Sequence, residues 1–84
     1  MLEKGTVVRS SAGRVKGRLL AVMQESERTV TVCDGKERPI DRPKSKNIRH
    51  VEILPFSLSE KEMSTNRALK KALAGLNAEI NGNT

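Results

Sequence analysis

Aromatic side chains are almost missing from this sequence: there is one Phe and neither Trp nor Tyr. Many proteins that hold single-stranded nucleic acid stack bases on rings, and Phe56 alone offers little for that. The core is left to aliphatic side chains. The single cysteine, Cys33, has no partner for an internal disulfide and no Cys or paired His at metal-ligand spacing, so a reducing, cytoplasmic setting is expected. No window approaches the roughly 18 apolar residues of a membrane span. The opening MLEKG also lacks the apolar core of an export signal, so neither insertion nor export is expected. His50 is the only histidine, without a triad partner or a second metal ligand. Phosphate-cradling Walker and dinucleotide patterns are absent. No catalytic residue, metal or cofactor is expected, and the chain reads as a non-enzyme.

What the sequence does have is positive charge. Sixteen Lys and Arg stand against ten Asp and Glu, a net +6 with a pI near 10, which favours polyanionic partners, nucleic acid first. Residues 1–56 carry twelve basic and seven acidic groups, net +5, and residues 57–84 four and three, net +1. The charge belongs to the first two-thirds. Eighty-four residues suffice for one small domain, because a chain of this length buries only about 60 to 65% of the surface it exposes unfolded.

Hydrophobic pattern divides the chain near residue 57. Thr6–Arg9 reads as a first strand, Ser10–Gly17 as a loop, and Arg18–Met23 as a second strand too short for a stable helix. Thr29–Cys33 alternates in period two, with Val30 and Val32 facing in. Asp34-Gly35 favours a tight hairpin, with Glu37–Ile40 returning as a short edge strand beside Pro39. Asp41–Asn47 reads as a basic loop, and Ile48–Leu54 as a fifth strand stopped by Pro55. Five short strands joined by tight turns predict a mainly β fold, a small antiparallel barrel of the SH3-like or OB-like kind over residues 1–56. From Leu58 the period becomes helical. Leu69, Leu73, Leu76 and Ile80 form one stripe, Thr65 is a plausible N-cap, and a shorter turn at Ser59–Met63 precedes it. This C-terminal extension, 57–84, is expected either to pack on the barrel, capping an open end, or to stay partly mobile. The other use of its stripe is docking a protein.

Two segments carry the chemistry. The first is the loop after the first strand: Ser10 and Ser11 offer hydroxyls, Gly13 and Gly17 permit positive φ, and Arg14, Lys16 and Arg18 bring cations to within reach of phosphates. Its plainer reading is a shaped turn with solvated charges. The second runs from Lys36 to His50 and contains Lys36, Arg38, Arg42, Lys44, Lys46 and Arg49 against Glu37 and Asp41, enough to predict strongly salt-dependent binding. A simple meander puts Ser10–Gly17 and Asp34–Lys36 at one end and Asp41–Asn47 at the other. The two basic regions either grip different phosphates or are brought onto one face by the barrel's twist. Cys33 reads as a small strand residue rather than a nucleophile.

Gly5 and Val8, then Gly13-Arg14-Val15-Lys16-Gly17, then Leu20 and Val22, resemble the KOW motif. With Val30-Thr31-Val32 and the basic stretch Arg42–His50, residues 3–54 resemble the small bacterial KOW-domain RNA-binding proteins. These in turn are similar to the archaeal and eukaryotic large-subunit ribosomal protein family numbered fourteen, the e-type. Ser10 departs from the pattern, since many KOW sequences carry a hydrophobic residue there. The resemblance implies an SH3-like barrel and RNA, especially ribosomal RNA, as partner. The expected contacts are Ser11, Gly13, Arg14, Lys16, Gly17, Arg18, Lys36, Arg42, Lys44, Lys46, Arg49 and His50. The chain is expected to be a monomer when free, with the ribosome or its proteins as further partners. The rival reading is a protein-docking barrel of the transcription or translation machinery, similar to the KOW domains of elongation factors that contact polymerase. Binding to DNA is a third, weaker one.

Overall fold

The computed structural model describes residues 2–13 and 16–81. Five strands, β1 (Thr6–Ser10), β2 (Leu19–Glu25), β3 (Thr29–Cys33), β4 (Lys44–Asn47) and β5 (Val51–Ser57), form one antiparallel sheet in the order β4-β3-β2-β1-β5. A helix, α1 (Asn66–Asn81), follows. The fold is mainly β, as expected, and compatible with a small SH3-like barrel. Its sheet does not close, since β4 and β5 are the two edges.

The central strands are buried on both faces. Alternation sends Val8, Leu20, Val22, Val30 and Val32 to an inner cluster, joined by the half-buried Leu2, Ile48 and Val51. Their neighbours Val7, Leu19, Ala21 and Cys33 face outward and are covered by Leu58, Met63, Leu69 and Leu73. A strand covered on both sides reads as a continuous apolar run, which is why Leu19–Val22 shows no period in the sequence.

Helix α1 begins as Thr65 predicts: the Thr65 hydroxyl accepts the amide of Ala68 at 3.0 Å. Ahead of it, Ser59 and Glu62 cap one another reciprocally, each side chain accepting the other's backbone N–H. That turn carries Met63 into the outer cluster. The leucine stripe therefore packs on the outer face of the sheet; it does not cap an open end of the barrel, because the apolar surface needing cover is the outward side of β1 to β3.

Three strand expectations need correction. Glu37–Ile40 is not a strand. The Asp34 carboxylate accepts the amides of Lys36 and Arg38, both at 2.9 Å, and the Arg38 carbonyl accepts from Asp34 and Gly35, so the groups a returning ladder needs are spent inside the turn. The strand that pairs with β3 is instead Lys44–Asn47, in the register Val30↔Lys46 and Val32↔Lys44; having no apolar residue, it reads as a loop. Ile48–His50 forms a single 3-10 turn, started by the Asn47 side chain accepting from the Arg49 amide at 2.9 Å. Strand β5 then runs on through Pro55 to Ser57. Proline is tolerated because β5 is an edge and its pairing with β1 is irregular there, with Thr6↔Ser57 followed by Val8↔Ile53.

Candidate nucleic-acid interface

The loop from Ser11 to Arg18 leaves β1 from a buried polar residue. Ser10 is 1% exposed and lies on the same side as Val8. Its partner explains the burial of a polar side chain there. Lys46 reaches across from β4 and donates from Nζ to the Ser10 Oγ at 3.0 Å, with the Ala12 carbonyl 3.5 Å away. The Ser10 hydroxyl in turn donates to that carbonyl at 2.9 Å. Partial burial, then the charges of Lys44 and Arg38, pull the Lys46 pKa below the usual lysine value. Lys46 thus spans the open side of the inner cluster between β4 and β1.

Backbone bonds fix the loop around this span. The Gly17 amide donates to the Ser10 carbonyl at 2.7 Å, the Lys16 amide to Gly13 at 3.2 Å, and the Ser11 amide to the His50 carbonyl at 2.9 Å. Gly13 and Gly17 both take positive φ, 82° and 89°, as the turn requires. The last of those bonds ties the first basic segment to the end of the second. Between them lies a hollow of about 410 Å³ lined by Ala12, Gly13, Lys44, Ser45, Lys46, Asn47 and His50. No acidic side chain is in that lining. Lys44 is exposed there and Lys46 half-buried.

The remaining expected residues distribute elsewhere. Arg14 lies outside the described residues. Lys16 is exposed on the loop beside the hollow. Gly17, Arg18 and Lys36 line a separate groove, shared with Lys70 of α1, and Arg18 is paired there with Glu37 at 3.0 Å. Arg49 lines a third depression with Arg28, Asn47 and Ile48. Arg42 sits on the exposed turn ahead of β4, its amide bonded to the Pro39 carbonyl. Sequence reasoning missed Arg28 and Lys70. Arg28 follows two glutamates in what reads as a solvated turn, and Lys70 lies in the 57–84 segment, which contributes only +1 to the charge.

Cys33 is buried, and its Sγ–H points at the Ala21 carbonyl, 3.8 Å away. Burial first, then the neighbouring Asp34 carboxylate, push its thiol up to about 11, against a small opposing effect of Lys4. The thiol stays protonated and packed, as the sequence reading expects of a strand residue. Phe56, the chain's single Phe, is half-buried against the outer cluster. Among the described residues no helix is long and apolar enough to cross a membrane. Compared with protein-family models and with curated proteins, the chain gives no match.

Proposed function

We propose that this chain is a cytoplasmic, non-enzymatic RNA-binding module that engages folded RNA, ribosomal RNA first, through its phosphates. The observation that carries the reading is the acid-free hollow between the β1–β2 loop and β4, where Lys44, Lys46 and His50 meet Gly13 and Ala12. Its cations come from the second basic segment, and the first contributes Ala12 and Gly13, with the Lys16 amide bonded to the Gly13 carbonyl. Inward-pointing lysines on an edge strand also blunt edge-to-edge pairing. That role alone does not account for the loop tied beside them through Ser11 and His50. The position of Phe56, packed against the outer cluster, supports phosphate contact over base stacking. The KOW resemblance, with ribosomal RNA as its implied partner, agrees with this reading and belongs to it.

The rival, protein docking through the leucine stripe, loses its central residues: Leu69 is 0% and Leu73 6% exposed, both in the outer cluster. Deleting residues 65–80 would uncover that cluster, so loss of binding on such a deletion does not separate the two readings.

The test is filter binding to a structured ribosomal RNA fragment over a range of salt. Affinity is expected to fall linearly on a log–log plot, by about 0.7 to 0.9 in slope per phosphate contacted. It should weaken in Lys44→Gln and in Arg14→Ala with Lys16→Ala. Affinity indifferent to salt and to these substitutions refutes the proposal, and equal competition by duplex DNA would redirect it to DNA.

A further inference from the structure

The groove between the start of β2, the Asp34–Lys36 turn and α1 gathers three cations from distant parts of the chain: Arg18, Lys36 and Lys70. Its volume is about 220 Å³. That is below the roughly 300 to 1,000 Å³ of ordinary ligand pockets, so it suits one small charged group better than a base or a peptide side. Leu19 and Leu73, both from the outer cluster, give it an apolar floor, which removes water from one side of any ion held there.

The three cations are brought together by a close-fitted junction. Gly35 has φ +80°, and a Cβ on it would collide with the backbone carbonyl oxygen of Asn66; the turn sits directly on the first turn of α1. The Asn66 side chain fastens the same segment, accepting the Ile40 amide at 2.7 Å. The one acid in the lining, Asp34, has its Oδ1 committed to the amides of Lys36 and Arg38. The other nearby acid, Glu37, holds Arg18 at 3.0 Å with both side chains about half exposed. Exposed pairs of this kind are weak, and Glu37 occupies on Arg18 the position an incoming oxyanion would take.

We propose that this groove is a second anion site, built for a phosphoryl group, with Arg18, Lys36 and Lys70 as its ligands and Glu37 as a built-in competitor. On the reading above, and resting on it only for the source, the group is a backbone phosphate of the same RNA. The groove is separate from the hollow at Lys44 and Lys46, so an RNA that fills both is held by barrel and helix together.

Two measurements test this on the full chain. In the first, inorganic pyrophosphate is titrated while backbone amide shifts are followed. Saturable shifts at Gly17, Lys36 and Lys70 are expected. They should become about two- to five-fold tighter in Glu37→Gln, the range of an exposed ion pair, and disappear in Lys36→Gln with Lys70→Gln, whose spectra also report that the fold is kept. In the second, a fluorescein-labelled RNA hairpin is titrated at several salt concentrations. The same double variant should lower the salt slope by about one to two, independently of Lys44→Gln. Absent shifts, or shifts spread evenly over all lysines, overturn the site, and with RNA binding still dependent on Lys44 they leave the functional proposal standing. Localised pyrophosphate shifts with no change in RNA slope support the site and assign it to free phosphate. The same shifts in a protein that does not bind RNA keep the site and refute the RNA reading.

Discussion

Replacing Ser10 by alanine removes the acceptor of the Lys46 ammonium and the donor to the Ala12 carbonyl at once. A hydrogen bond to a charged group contributes about 1.5 to 3 kcal/mol and a neutral one about 0.5 to 1.5. Lys46 keeps the Ala12 carbonyl within reach and has partial access to water. Ser10→Ala is therefore expected to cost about 2 to 3 kcal/mol, which in a domain of this size lowers Tm by about 8 to 24 °C. Lys46→Met keeps the length and apolar stem and removes the charge. Replacing a partly buried ion by a hydrophobe of similar shape is often close to neutral, so this variant should stay within about 1 kcal/mol of wild type. In the Lys46→Met background Ser10→Ala should cost only the neutral bond, about 1 kcal/mol. Urea unfolding of the four proteins, compared at constant m, gives the coupling, expected at about 1 to 2 kcal/mol. A coupling within about 0.5 kcal/mol of zero refutes the idea that Ser10 is there for Lys46. The pH dependence adds an independent sign. Because the folded pKa of Lys46 is lowered, the cost of keeping it charged is present in full at neutral pH. As pH rises from the folded toward the unfolded value, the unfolded chain binds more protons than the folded one, and stability rises. Wild type should thus gain on Lys46→Met toward alkaline pH; a loss would be the wrong sign.

Lys44→Gln, by contrast, should leave urea stability within about 0.5 kcal/mol, as an exposed substitution, and reduce the RNA salt slope by about 0.7 to 0.9; a fall in stability without a slope change would reverse the roles given to the two lysines. Gly35→Ala is expected to destabilise by about 2 kcal/mol or more, since alanine is strained at positive φ and its methyl meets the Asn66 carbonyl; thermal melts near wild type would mean that the turn does not sit on α1. Leu69→Ala should cost about 2 to 5 kcal/mol by opening the outer cluster, measurable by urea unfolding, and a cost under about 1 kcal/mol would place the helix off the sheet. Cys33 should resist alkylation at pH 8 in the folded protein and react freely in denaturant, its thiol being buried and raised to about 11; equal rates in both states would contradict its burial.

The legible parts of this fold are those where one physical signal acts alone. Thr29–Cys33 alternates because only its inner face is strictly apolar, and Thr65 with the leucine stripe announces α1 because capping and period agree. The misread parts are those where a tertiary partner overrides the local pattern. Lys44–Asn47 carries lysines at the positions where a strand normally shows apolar residues, because the inner cluster is spanned there by Lys46 and Ser10. Glu37–Ile40 has the right composition for an edge strand, yet the Asp34 carboxylate takes up its amides. Pro55 signals a stop that irregular edge pairing does not enforce. For the site, charge alone shows both basic segments. Their partition depends on the register Val30↔Lys46 and on the bond from Ser11 to His50, neither of which leaves a trace in composition. Lys70 enters only because α1 packs against the start of β2.

Burial of the central strands on both faces also sets an order of events for a chain leaving the ribosome. Strand β1 finds its β5 partner only after a long delay, Arg9 and Glu52 being 43 residues apart. The outward side of β1 to β3 waits longer still, for Leu69 and Leu73. Until then Val7, Leu19 and Ala21 form a sticky surface on a half-made sheet, the kind of intermediate that associates with its own kind. Truncation or slow synthesis before residue 73 should therefore show itself as aggregation.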